Sequence, residues 1–316
     1  MKISNIIPRP VKNLILRIVR IPERIKVKIY YAAAHGKIPF PDKAFQKWDY
    51  KIHTGRKLNL RHPVTYQEKL QWLKYYYRNP EFTKLVDKYE VRNYVREKIG
   101  EEYLVPLYGV YNKWDEIDFS ALPDEFVIKC THDSGSVVIC RDKNTFDYES
   151  AKKKIEAGLA RNQFYLSREW PYKNVKPRII IEKLLYGDEN KGIVDYKFFT
   201  FNGKVKFVLV CSNRFKVGGM KVSFYDLNWQ KLAISQTGET NETELIKKPK
   251  KFDEMIKVAQ RLGKGLLHIR VDFIIDADNF YFTELTFFDS GGRKPFVPDS
   301  YEYKFGDWIT LPPKMR

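Results

Sequence analysis

The sequence predicts an α+β fold, and three observations carry that reading. Residues 66–77 (YQEKLQWLKYYY) and 83–98 (TKLVDKYEVRNYVREK) place apolar groups at helical spacing. From residue 126 the texture changes to short β-rich runs: FVIKC, VVIC, RIIIE, VDYKFFTF, VKFVLV, VSFY, IRVDFII and FYFTELTF. Asn202-Gly203, between two of these runs, is a strong hairpin turn, because both central residues must tolerate positive φ. Helices first and a largely antiparallel, β-rich remainder indicate an α+β protein.

The first thirty residues set eight Lys and Arg against Glu23 alone, a net +7 out of +18 for the whole 316-residue chain. Leu14, Ile15, Leu16, Ile18, Val19 and Ile21 form a short apolar stripe that Pro22 ends. Such a basic amphipathic segment can lie on an anionic membrane surface, or pack on the protein body with its cations solvated. A signal peptide does not fit, because Arg17 and Arg20 interrupt the stripe and no small-residue cleavage site follows closely. No run approaches 18 uncharged apolar residues, so no membrane-spanning helix is expected. Hydrophobic residues at 43% and aromatics at 15% exclude a mostly disordered chain. Three cysteines, Cys130, Cys140 and Cys211, argue against a disulfide framework and fit a reducing compartment. Helical patterns near 148–161 and 251–262 interrupt the strands, and no internal repeat or low-complexity run occurs.

Three stretches could carry chemistry. Lys129 ends the apolar run FVIK and leads into a loop with Ser134, Gly135 and Ser136. Backbone N–H groups and hydroxyls of such a loop can wrap a phosphate while the ammonium neutralises it, although a hairpin with an exposed lysine reads equally well. No GxxxxGK[ST], GxGxxG, HRD or DFG is present, which disfavours P-loop, Rossmann and protein-kinase sites. IIIEKLL (179–185) is an apolar strand whose exit could offer backbone groups to a purine edge, or simply a buried strand leaving the core. RVDFIIDADNFYFTELTF (270–287) is the strongest. A three-residue loop at 277–279 would pair Asp276 with Phe280 and put Asp272 opposite Glu284, with Thr286 on the same face. Cross-strand Cβ atoms lie about 4.5–5.5 Å apart, so the two carboxylates need a cation, a shared proton or solvent. Hard oxygen donors of this kind suit Mg²⁺. A two- or four-residue loop would separate them, and a solvated hairpin edge is the plainer alternative. Asp195 and Lys197 alternate onto one face and can be an ordinary ion pair. His132 and His268 have no partner at zinc-ligand spacing.

Taken in order, these pieces resemble the ATP-grasp superfamily, and more closely its TupA-like (teichuronopeptide biosynthesis type) family from bacterial surface-polysaccharide systems. HPVTYQEKLQWLK, LVDKYEVRNYV, FVIKCTHDSGSVVICRDK, VDYKFFTFNGKVKF and IRVDFIIDADNFYFTELTF carry the resemblance, from residue 62 to 287. It implies an ATP-grasp fold, two α+β lobes gripping ATP behind a helical N-terminal region. The expected parts are a basic segment (1–48), a helical region (49–118), a small lobe (119–187) and a large lobe with the metal site (188–316). By the same resemblance, Lys88 and Lys129 would contact ATP phosphates from the two sides of the cleft, and Ser134, Gly135 and Ser136 would close over them. Glu182, with the backbone of Lys183 and Leu185, would hold adenine, and Glu189 would reach the ribose. Lys197 would contact the triphosphate, Arg270 would stabilise the transferring phosphoryl group, and Asp272 and Glu284 would hold Mg²⁺. Thr286 stands where the superfamily usually has an asparagine ligand, and DSGG (289–292) where a Gly-rich tail follows.

The reaction so implied joins a carboxylate to an amine through an acyl phosphate, with ATP and Mg²⁺ as cofactors. The acceptor would be a carboxylated glycan or sugar. The place would be the cytoplasm, with residues 1–30 against the inner face of the membrane, and no nucleic acid is needed. A glycosyltransferase is the alternative, with Asp276 and Asp278 as a metal-binding Asp-x-Asp motif at the end of an apolar strand. A basic polyanion-binding scaffold is a third reading, under which Lys129 and Glu284 would be dispensable.

Overall fold

Apolar periodicity and local caps account for the helices that open the chain in the computed structural model, which describes residues 22–187, 192–213 and 219–315. These are α1 (Glu23–Ala34), α2 (Asp42–Thr54), α3 (Tyr66–Tyr76), α4 (Phe82–Val86) and α5 (Val91–Lys98). The apolar stripe ahead of Pro22 lies outside the described residues. Helix α3 starts at a capping box, in which Thr65 accepts the Glu68 amide and the Glu68 carboxylate takes the Thr65 amide. The single helix expected over 83–98 is in fact two. Asp87 leaves helical geometry at ψ 118°, and its Oδ1 accepts the Tyr89 and Glu90 amides at 2.8 and 3.3 Å. That local bond competes with helix continuation and places Lys88 on the break.

A four-stranded antiparallel sheet follows, in the order β1-β4-β2-β3. Its strands are β1 (Leu107–Tyr111), β2 (Phe126–Cys130), β3 (Val137–Cys140) and β4 (Ile179–Glu182). Helix α6 (Tyr148–Leu159) covers one face through Ala151 and Ile155, and the short α7 (Phe164–Ser167) follows it. Strand β1 lies ahead of the lobe boundary expected at 119 and pairs with β4.

Among the described residues, a larger sheet runs β10-β7-β6-β5-β11-β12, with β8 beside β7. It comprises β5 (Asp195–Phe201), β6 (Lys204–Ser212), β7 (Lys221–Tyr225), β8 (Lys231–Leu232), β10 (Thr240–Asn241), β11 (His268–Asp276) and β12 (Asn279–Thr286). Strands β9 (Ser235–Gln236) and β13 (Phe296–Val297) form a separate ribbon. Helix α8 (Phe252–Gly263) buries Phe252, Met255, Val258 and Leu262 against one face of the sheet, while Phe296 and Phe305, the latter on α9 (Ser300–Asp307), pack over part of the other. The β5–β6 turn is the expected Asn202-Gly203, with φ of 50° and 73°.

The β11–β12 hairpin differs from expectation in its turn and not in its outcome. Asp276 pairs with Asn279, so the loop is the two residues Ala277 and Asp278. A β-bulge at Thr283 then shifts the register by one, and Asp272 still faces Glu284. The Thr283 hydroxyl donates to the Asp272 carbonyl at 3.1 Å and holds the bulge.

Residues 291–309 fold back onto α3. Gln71 and Lys74 donate to the carbonyls of Gly291 and Gly292, Gln67 to that of Lys294, and Lys69 to those of Gly306 and Ile309. The Glu302 carboxylate returns the contact by accepting the Gln67 and Phe296 amides.

Candidate active site

A cleft of about 510 Å³ separates the two sheets. Lys88, Lys129, Ser134, Gly135, Ser136, Glu182, Lys183, Leu185, Lys197, Arg270, Asp272 and Glu284 all line it. Thr286 lies beside this lining, and Glu189 lies outside the described residues.

On the small-sheet wall, period-two alternation in β2 turns Lys129 into the cleft while Ile128 and Cys130 enter the core. Its ammonium bonds Glu182 at 2.8 Å, and Arg92 bonds the other oxygen of Glu182 at 3.0 Å. Lys88 sits on the same wall and not across from Lys129: its amide donates to Thr131 and its ammonium to the Asp133 carbonyl, at 3.0 and 2.5 Å. Within the loop the three small residues divide. Ser134 and Gly135 are exposed, with Gly135 at φ 106°, whereas Ser136 is buried and its hydroxyl is shared between Asp133 and Arg161. Ser136 therefore anchors the loop that Ser134 and Gly135 form.

After β4 the chain offers Lys183 and Leu185 to the cleft. The Lys183 amide is committed to the Pro106 carbonyl at 2.9 Å. Beyond them, the Tyr186 and Gly187 amides both donate to Asp276 Oδ1, at 2.8 and 3.1 Å. Asp278 is exposed at the hairpin tip, 3.5 Å from Lys250. The Asp-x-Asp pair thus shares no site, and neither carboxylate lines the cleft.

The large-sheet wall carries the charge. Lys197, Asp272 and Glu284 are register neighbours across β5, β11 and β12, with Arg270 two residues before Asp272 on the same face. Arg270 bonds both oxygens of Asp272 at 2.8 and 2.7 Å, Glu284 at 3.0 Å and Asp289 at 2.5 Å. Lys197 bonds Asp272 at 2.5 Å. Burial alone would raise the Asp272 pKa, but Arg270 and Lys197 outweigh it and hold the carboxyl at about 2. Burial and Arg270 push the Lys197 ammonium down, yet Asp272 and Asp195 keep it above its ordinary value. Thr286 donates to Glu284 Oε1 at 3.1 Å, so it orients that carboxylate.

The donor set suits Mg²⁺. Two carboxylates face one another on one side of a strand pair, and Glu284, 36% exposed, opens to the cleft. The two cations on Asp272 are groups that an arriving polyphosphate would also attract.

Several functional neighbours escaped the sequence reading. Arg92 had a signal, a charge set among the apolar residues of a helical pattern, where burial demands a partner. Asp289 was read only as part of the DSGG stretch, and Arg161 only as the end of a helical pattern that in fact stops at Leu159, so neither had a signal for the bonds it makes.

A family model described as TupA-like ATPgrasp matches residues 68–310. Among curated proteins none matches the chain. Solved structures similar to it include the ATP-grasp ligase PsnB complexed with a phosphomimetic variant of its minimal precursor, Mg and ADP. There the identity is 13% and the TM-score 0.40, over 70% of this chain and 57% of that one. The D-alanine–D-alanine ligase from Bacillus anthracis complexed with ATP is 16% identical, with a TM-score of 0.42 over 77% of this chain and 66% of that one. The enzyme of the same name from Helicobacter pylori is 13% identical, with a TM-score of 0.43 over 78% and 69%. The chain therefore spans 57% and 66% of the length of the first two. The matched residues take in both walls of the cleft, from Lys88 to Glu284, and the chain belongs to the TupA-like ATP-grasp family.

Proposed function

We propose that the protein is an ATP- and Mg²⁺-dependent carboxylate–amine ligase of bacterial surface-polysaccharide assembly. The observation that supports it most is the cluster of Lys197, Arg270, Asp272 and Glu284 facing Lys129 across one cleft. Five charged groups so placed suit a polyphosphate with its cation, and family membership makes ATP the natural occupant.

In this reading the purine lies against Lys183 and Leu185. Lys129 and Lys88 bind phosphate oxygens from the small-sheet wall, and the Ser134–Gly135 turn covers them. Lys197 meets the triphosphate from the opposite wall. The acceptor carboxylate attacks the γ-phosphorus as the bond to ADP breaks, and Arg270 neutralises the charge that builds on the transferring group. An amine nitrogen then forms the C–N bond as the acyl C–O bond breaks, releasing phosphate and a proton. Closure of the 131–136 loop keeps water from the acyl phosphate. Glu284 and Asp272 would hold Mg²⁺, which would supply charge neutralisation on the phosphates.

The acceptor is a carboxylated sugar or glycan, carried near the membrane on whose cytoplasmic face residues 1–30 rest. Arg24, Ile25, Val27 and Lys28 are exposed on α1, which supports that placement, and no helix among the described residues is long and apolar enough to cross a membrane. The glycosyltransferase alternative has no support from Asp276 and Asp278, of which the first holds the Tyr186 and Gly187 amides and the second faces Lys250.

A thermal-shift screen with Mg²⁺ and ATP, ADP or UDP-sugars tests the reading. ADP with Mg²⁺ should raise the melting temperature of the wild-type protein, and Glu284→Gln should lose most of that rise. A response confined to UDP-sugars would sink the ligase.

A further inference from the structure

Asp276 is the residue the proposed chemistry leaves unused, and its surroundings give it a different task. Its Oδ1 accepts two consecutive backbone amides, Tyr186 at 2.8 Å and Gly187 at 3.1 Å. Those amides belong to the segment that leaves the small sheet immediately after Lys183 and Leu185. The Tyr186 side chain is fastened to the small sheet instead. Its hydroxyl donates to Glu125, just ahead of β2, and the Arg141 guanidinium, just past β3, lies 5.7 Å from its ring centre. Gly187 has φ of 77°, and a Cβ there would meet the Gly192 carbonyl at 2.4 Å, so the crossing admits no side chain. One dipeptide is thereby held by its ring to the small sheet and by its amides to the large one.

Strand β11 makes this more than a fastening. Asp272, Ile274 and Asp276 alternate onto one face, since the bulge falls on β12 and leaves β11 regular. Asp272 and Ile274 line the cleft, and Asp276 ends the row about 13 Å from Asp272 at roughly 3.3 Å per residue. A single strand thus fixes the spacing between the phosphate-side cluster and the peptide that carries Lys183–Leu185.

We infer that Asp276 is a positioning residue for the nucleotide: by holding the Tyr186–Gly187 amides it sets the purine-side backbone at a fixed distance from Arg270 and Asp272. The inference rests on the nucleotide reading above in its ligand, and on the amide bonds alone in its geometry. Two charge-assisted hydrogen bonds are enough to change affinity by about tenfold when lost.

The test combines amide hydrogen exchange at Tyr186 and Gly187 in nucleotide-free protein with calorimetric Kd values for ADP–Mg²⁺. Asp276→Ala should speed exchange at both amides and raise Kd about tenfold. Asp276→Asn, which keeps an acceptor oxygen, should restore both to within about threefold of wild type, and Asp278→Ala should change neither. Equal Kd values for wild type and Asp276→Ala would overturn the positioning role. So would an Asn variant as weak as Ala, because the carboxylate charge and not the hinge bonds would then matter. Wild-type protein that binds no ADP–Mg²⁺ would instead overturn the nucleotide reading, and this role with it.

Discussion

Arg270 gathers three carboxylates in the cleft, with Asp272, Asp289 and Glu284 all on its guanidinium. With Lys197 that makes three carboxylates around two cations, and Asp272 and Asp289 are each only 1% exposed. Removing one member of such a network strands the others in a poorly solvated place. Arg270→Ala should therefore destabilise the nucleotide-free protein by about 3–5 kcal/mol, read from urea unfolding. A stability equal to wild type would mean that the network does not form. Because the folded Asp272 pKa lies below its unfolded value, its contribution is present above pH 3.8 and fades as pH falls towards about 2. At this scale much was legible. Alternation puts Lys197 on the face of Asp195, whereas counting back from the actual two-residue turn would put Asp272 opposite Thr283, and only the bulge brings Glu284 there. Asp289 was not legible, because it follows β12 in a turn where Ser290, Gly291 and Gly292 take positive φ and period-two counting stops.

Elements were legible where one period ran unbroken and less so where a side chain bonded its own backbone. Asp87 divides one helical pattern into α4 and α5, and Thr283 inserts a bulge that no apolar pattern announces. The bulge corrected an error in turn length, so the right opposition of carboxylates came from two deviations that cancel. Helix α1 is the described element on which the proposed membrane contact would bear. It exposes Ile25, Val27 and Tyr31 at 39%, 50% and 59%, beside Arg24 and Lys28. In the proposed contact, the preceding Lys2, Arg9, Lys12, Arg17 and Arg20 would each add about 1 kcal/mol of attraction to an anionic surface. Deleting residues 1–21 should cut binding to phosphatidylglycerol vesicles at least tenfold in a sedimentation assay and leave the Kd for ADP–Mg²⁺ unchanged. Equal sedimentation of both forms would remove the membrane from the proposal.

For the molecule as a whole, two buried groups between the large sheet and the helices that cover it set opposing pH responses. Burial raises the Glu302 pKa to about 7, so its contribution to stability is present below pH 4.5 and lost as pH rises towards 7. Burial also lowers the His268 pKa to about 4, and its contribution is present above pH 6.5 and lost as pH falls towards 4. His268 stays neutral between the Tyr66 hydroxyl and the Thr200 carbonyl. Replacing Glu302 with Gln should remove the first response alone. The urea midpoint of Glu302→Gln relative to wild type should then climb between pH 4.5 and 7.5, and a constant difference would contradict the assignment. Glu302 also belongs to the clasp by which residues 291–309 hold α3. A ribosome releases residue 66 more than two hundred residues before residue 309. Newly made α3 thus emerges with Gln67, Lys69, Gln71 and Lys74 facing acceptors that have not been translated. The contacts that join α3 to residues 291–309 therefore form only after residue 309 has been made, and until then the apolar faces they cover stay open to the wrong partners.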